Sequence, residues 1–110
     1  MTSSRCVAVT VAAVAAVLAS VAARADENAE RLAYGEHLSA ECTACHRIDG
    51  SDDGIPSIIG WAVPTFIAVL KSYRDGERTN PVMVLVATSL EEDQMAALAA
   101  YFGSLGATKR

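Results

Sequence analysis

Apolar positions along the chain change period from one segment to the next. From Cys6 to Ala23 there is an uncharged run made mostly of Ala and Val. Residues 28–41 then place Ala29, Leu32, Ala33, Leu38 and Ala40 at loosely helical intervals, which predicts a helix. Gly35 lies inside it; a mid-helix Gly costs about 1 kcal/mol against Ala, which points to close packing by another element. The stretch Asp49-Gly50-Ser51-Asp52-Asp53-Gly54 is turn chemistry and opens a loop running from Ile48 to Gly60. A second helix is predicted from Pro64, with Phe66, Ile67, Leu70 and Tyr73 on one face and an end at Asp75-Gly76. Val82 to Ala87 is wholly apolar; without a partner strand it reads as a buried loop or short helix. The last helix begins with Ser89-Leu90-Glu91-Glu92, which has the form of a capping box with Ser89 as the cap. Its apolar stripe is Met95, Leu98, Phe102 and Leu105, with Tyr101 beside it and Gly106 as the stop. The tail from Ala107 to Arg110 is expected to fray.

Composition splits the chain in two. The first 25 residues hold 18 of the 57 hydrophobic side chains and no acidic one. Residues 26–110 carry 7 basic and 13 acidic side chains, a net charge of −6. An acidic body of this kind argues against nucleic acid and against docking on anionic lipid. Six aromatic residues make a lean core for a domain of this size, so a staple is expected: a disulfide, a metal or a bound cofactor.

Residues 1–25 read as a secretory signal peptide: Arg5 is a positive start, the apolar run follows, and Ala23-Arg24-Ala25 fits the cleavage pattern. The competing reading is a retained membrane anchor, for which the Ala-rich run lies at the lower edge of length and hydrophobicity. Cleavage removes Cys6 and leaves a domain, residues 26–110, exported to a bacterial periplasm and free of the membrane.

Export leaves Cys42 and Cys45, in Cys42-Thr43-Ala44-Cys45-His46. C-x-x-C-H is the attachment motif of a c-type haem. Two thiols at this spacing add across the two porphyrin vinyl groups, and His46 then lies under the iron as a ligand. Three other readings use less of the motif. A disulfide closes a tiny loop and ignores His46. A thioredoxin-like pair requires a βαβ context. A zinc site requires a fourth ligand, and His37, the only other mature histidine, reads as a solvent-facing helix residue. Of the two mature methionines, Met95 falls on the final helix stripe and reads as core. Met83 follows Pro81 in the irregular apolar stretch, where a loop can carry its thioether across the far haem face, so Met83 is the expected sixth ligand. The paired carboxylates Asp52 and Asp53, in a Gly-rich turn, read as solvated charge rather than as catalytic groups.

Taken together, Gly35, Leu38, Cys42-Thr43-Ala44-Cys45-His46, Ile55-Pro56, Gly60, Met83 and the helix 89–105 resemble a class I c-type cytochrome. Tyr73-Arg74-Asp75-Gly76-Glu77-Arg78 and the short loop ending Ile55-Pro56-Ser57-Ile58 are similar to a narrower group. It contains small bacterial soluble cytochromes and the cytochrome subunits of flavocytochrome c sulfide dehydrogenases. The resemblance implies an all-α cytochrome c fold, three to four helices wrapped around one covalent haem c, with the first and last helices crossing. The crossing would lie near Gly35, against Leu98, Tyr101 or Phe102. It also implies that Pro56 presents its carbonyl to Nδ1–H of His46, fixing the ring. Two residues depart from the family pattern. Arg47 would pair with a haem propionate or Asp49, or be solvated; Trp61 would pack or cover the haem edge.

The expected function is electron transfer, with no catalytic residue of its own. Cys42 and Cys45 would hold the haem, and His46 and Met83 would ligate the iron. Electrons would pass near the small residues Thr43 and Ala44. Lys71, Arg74 and Arg78 are the only local basic cluster, so a largely apolar or permanent partner contact is expected. The partner implied is an exported flavoprotein dehydrogenase, sulfide-oxidising in kind. The alternatives are a free electron shuttle to a terminal oxidase or reductase, and a haem-based ligand-binding sensor.

Overall fold

The computed structural model describes residues 3–106, with side chains from Val9 onward. Among these residues there are five helices and no strand: α1 Ser3–Leu38, α2 Ala40–Thr43, α3 Val63–Arg74, α4 Pro81–Thr88 and α5 Glu92–Gly106. The fold is all-α, as expected. Contacts divide the chain between Glu30 and Arg31. The helical stretch Val9–Thr43 is long and apolar enough to cross a membrane by length and composition, and a signal sequence near the N-terminus passes the same test. The side chain of Cys6 and the tail 107–110 lie outside the described residues.

The second unit is built on α3 and α5. Phe66 and Leu70 of α3 are buried against Met95, Leu98, Ala99 and Phe102 of α5, with Ala87 of α4. These are the apolar faces read from the periodicity; Ile67, Tyr73 and Leu105 lie at their half-buried margins. Phe66 stacks on Phe102 with ring centroids 5.8 Å apart, and Trp61 meets Phe66 edge-on at 6.2 Å. Trp61 is therefore packed, half-buried, against the core.

The face predicted for residues 28–41 holds only in part: Leu32 and Leu38 are half-buried, Leu38 against the core, while Ala29, Ala33 and Ala40 are exposed and Gly35 and Ser39, one turn apart, are buried. Gly35 is needed because a Cβ there would lie 2.7 Å from Cβ of Tyr101 and 2.8 Å from the carbonyl carbon of Ala97. The crossing with α5 thus falls at Ala97 and Tyr101 rather than at Leu98 or Phe102, and Gln94 Nε2 donates to the Tyr34 hydroxyl beside it at 3.2 Å.

Two local readings require correction. The apolar stretch 82–87 is the short helix of the two forms expected, but it is buried only in part: Ala87 lies in the core, whereas Val82 and Leu85 are 61% and 74% exposed. Pro81 suits the first helical position, and the Asn80 side chain accepts from the N–H of Val82 at 3.1 Å and of Met83 at 3.2 Å. Asn80→Ala is expected to lower stability by about 1 kcal/mol, seen as a fall of several degrees in the thermal midpoint. The second correction is at Ser89, which ends α4 instead of capping α5; its hydroxyl donates to the Val86 carbonyl at 2.7 Å. The residue before α5 is Glu91, and Gln94 reaches back to accept from its N–H at 2.8 Å. The reciprocal half of a capping box therefore sits two residues later than the Ser-x-x-Glu pattern suggests.

Candidate functional site

The Cys-x-x-Cys-His segment begins where α1 ends. Ser39 is buried, its hydroxyl donating to the Glu36 carbonyl at 2.6 Å, and α2 starts at the next residue. The Cys42 carbonyl then accepts from the N–H groups of Cys45 at 3.1 Å and His46 at 2.8 Å. This tight turn aims Cys42, Cys45 and His46 toward one cavity of about 320 Å³, at the lower end of the range typical of small-molecule and cofactor sites. Its walls include Ile58, Phe66, Leu70 and Leu98, and Met83 and Pro56 also line it.

His46 Nδ1 lies 2.7 Å from the carbonyl oxygen of Pro56. A carbonyl can only accept, so Nδ1 carries the proton, and in the neutral ring Nε2 keeps its lone pair. Burial pushes the Cys42 thiol up to about 11, with the neighbouring Glu41 carboxylate adding to the effect. The thiol is thus neutral at ordinary pH, consistent with a group facing an apolar wall. Cys45 is exposed.

The structure brings together residues that are far apart in sequence. Met83 reaches the cavity from the first turn of α4, so it is a helix residue and not the loop residue expected. Met95 is fully buried in the core and does not line the cavity. His37 is exposed. Arg47 pairs with Asp53 at 3.2 Å and lies 3.9 Å from Asp49. Asp53 is therefore an ion-pair partner rather than solvated charge alone, and Asp52 accepts from Gly54 N–H at 3.1 Å. The supposed basic cluster is not a free patch. Lys71 and Arg74 bind Glu92 at 2.9 and 3.1 Å, holding its exposed carboxyl below the ordinary carboxylate value, and Arg78 lies over the Tyr73 ring at 5.8 Å. Among the described residues, no three His, Cys, Asp or Glu side chains are grouped to hold a metal ion, which weighs against the zinc reading.

A cavity of this character fits a haem. Two cysteines, a histidine with its tautomer set, and a methionine face one largely apolar space that side chains alone leave unfilled. Trp61, expected to pack or to cover the haem edge, lines this wall; so does Tyr73, which sequence reasoning placed only on the apolar face of α3 because it carries no motif.

No family model matches the chain. Among curated proteins it is similar to the cytochrome subunit of sulfide dehydrogenase from Chlorobaculum tepidum. The two are 36% identical over 72 residues, 64% of this chain and 66% of that one. It is also similar to cytochrome c-554(548) from Halomonas halodenitrificans, 32% identical over 77 residues, 66% of this chain and 93% of the relative. A third relative is cytochrome c4 from Pseudomonas aeruginosa, 32% identical over 74 residues, 66% of this chain and 37% of the relative. The chain thus spans slightly less than two thirds of the first relative and little more than a third of the last.

Proposed function

The chain belongs to the class I c-type cytochromes, and from that membership we propose that it carries one electron at a single haem joined covalently to Cys42 and Cys45, with His46 and Met83 as axial ligands. It is an electron-transfer protein rather than an enzyme. The observation that supports the ligand set is the convergence of these four side chains on one apolar cavity.

The bound haem would supply a reversible one-electron change at its iron. His46 keeps Nε2 available because Nδ1–H is held by Pro56, which also fixes the ring and raises its basicity. Met83 offers a neutral thioether, oriented by the Asn80-capped first turn of α4. Thioether ligation and apolar walls both disfavour the more highly charged oxidation state, so both raise the potential.

Residues 1–25 act as a cleaved signal in this reading, sending residues 26–110 to the periplasm. Mass measurement of the exported protein after denaturation tests attachment and cleavage together. The expected species is the polypeptide starting at Asp26 plus one haem. Haem lost on denaturation refutes covalent attachment, and a mass that includes residues 1–25 refutes cleavage.

The partner proposed is a flavoprotein dehydrogenase subunit that oxidises sulfide, suggested by the relative named as a cytochrome subunit of sulfide dehydrogenase. The engagement of Lys71, Arg74 and Arg78 within the domain supports a contact that does not depend on a basic ring. A free shuttle is the second reading, favoured by the match to 93% of cytochrome c-554(548), a whole protein of about this domain's size. Native purification separates the two: co-elution with a flavin-bearing polypeptide is expected for the first, and elution alone refutes it.

A further inference from the structure

The loop that carries Pro56 to the cavity is fastened at its far end by three glycines. Gly60 has φ +78°, a left-handed conformation suited to a residue without Cβ. Its N–H donates to the Phe102 carbonyl of α5 at 3.0 Å. A Cβ on Gly106 would stand 2.5 Å from Cα of Gly60, and one on Gly103 would stand 3.1 Å from the carbonyl oxygen of Trp61. Gly103 and Gly106 are one turn apart, so they share a face of α5 and the backbone of residues 60–61 lies directly on it. Between this contact and Pro56, Ile58 and Ile59 pack against the core, and Ser57 Oγ accepts from Ile59 N–H at 3.4 Å. None of the three glycines lines the cavity.

We propose that the contact of Gly60 with Gly106 and of Trp61 with Gly103 is a positioning device for His46. It sets how closely the 56–61 loop lies on α5, and hence the length of the bond from His46 Nδ1–H to the Pro56 carbonyl. That bond governs the basicity of the imidazole and so how far it stabilises the oxidised iron. The inference rests on reading His46 as an axial ligand. An added methyl at position 106 must move backbone, because its nearest neighbour is the Gly60 main chain and not a flexible side chain. At position 103 the neighbour is slightly farther away, so the displacement is smaller.

The test uses the haem-loaded protein with two readouts, the reduction potential and the NMR signal of the His46 Nδ1 proton. Gly106→Ala is expected to shift the oxidised-to-reduced equilibrium up to tenfold toward the reduced form, a rise of up to about 59 mV, with a moved Nδ1 proton signal. Gly103→Ala is expected to move both in the same direction by less. Gly76→Ala is the matched control: its φ of +82° makes the substitution strained, but nothing lies within 4 Å of the added methyl. It should lower the thermal midpoint and leave both readouts unchanged. The proposal is overturned if Gly103→Ala and Gly106→Ala lower the midpoint without moving either readout, or if Gly76→Ala moves them equally. Should Gly106→Ala fail to fold, Gly103→Ala decides by the same criteria. A haem spectrum unaffected by His46→Ala refutes the axial reading itself, whatever the glycine variants do.

Discussion

Replacing Met83 with alanine is expected to abolish the far-red absorption band that a methionine–iron bond gives the oxidised protein. It is also expected to let the reduced protein bind carbon monoxide stoichiometrically. If both axial positions are taken by His46 and Met83 as proposed, the wild-type protein should bind essentially none. The potential should fall as well, because the thioether favours the reduced iron. The geometry identifies the residue to change: Met83 lines the cavity, and Met95, the other methionine of residues 26–110, is fully buried and away from it. Met95→Ala should therefore cost roughly 2–5 kcal/mol of stability as a core truncation and leave the band in place. A band that survives Met83→Ala and vanishes in Met95→Ala would reverse the assignment. Ready carbon monoxide binding by the wild-type protein would favour the ligand-binding sensor.

Phe102→Ala is expected to be the most destabilising single truncation in the domain. Phe102 is fully buried, stacked on Phe66 and in edge contact with Tyr101 at 5.3 Å. Emptying such a site costs roughly 3–5 kcal/mol, a large part of the roughly 5–15 kcal/mol available to a domain. In thermal denaturation of the haem-loaded protein, this corresponds to a midpoint lower by roughly 12 °C or more. The backbone carbonyl that receives Gly60 N–H is retained, so the loss reports packing rather than the loop contact. Phe102→Leu, which keeps most of the buried volume, should recover the greater part. A loss below about 1 kcal/mol in Phe102→Ala would mean that α3 and α5 are not held together by this stack.

Asn80 caps an eight-residue helix, accepting from the N–H groups of Val82 and of Met83 itself. A helix this short has little intrinsic stability, so its first turn depends on the cap and on packing. Losing the cap should broaden the orientation of the Met83 side chain before it unfolds the domain.

How much was legible in the sequence differs by element. The faces of α3 and α5 could be read directly, since apolar residues at a 3.6-residue period leave one arrangement for the core. The Cys-x-x-Cys-His pattern was equally plain, because it is a local spacing of reactive groups, and the structure turns all three toward one cavity. α4 was not. Six consecutive apolar residues suggest burial, yet Leu85 is exposed and Val82 borders the cavity rather than the core. The Ser89 pattern misled for a related reason: a four-residue motif does not reveal that the preceding helix ends on that same serine.

By itself, then, the sequence determined the all-α class, the paired cysteines with His46, and two of the helix faces that bury the core. These follow from local periodicity and from the spacing of reactive groups. Only the tertiary structure decided that Met83 meets the cavity from a helix, that Gly35 meets Ala97 and Tyr101, that Glu92 pairs with both Lys71 and Arg74, and that Gly60 rests on Gly106 and Trp61 on Gly103. Each of these joins residues distant in the chain. Their proximity is set by how α3 and α5 pack and by where the loops between helices can lie, and no local pattern encodes it.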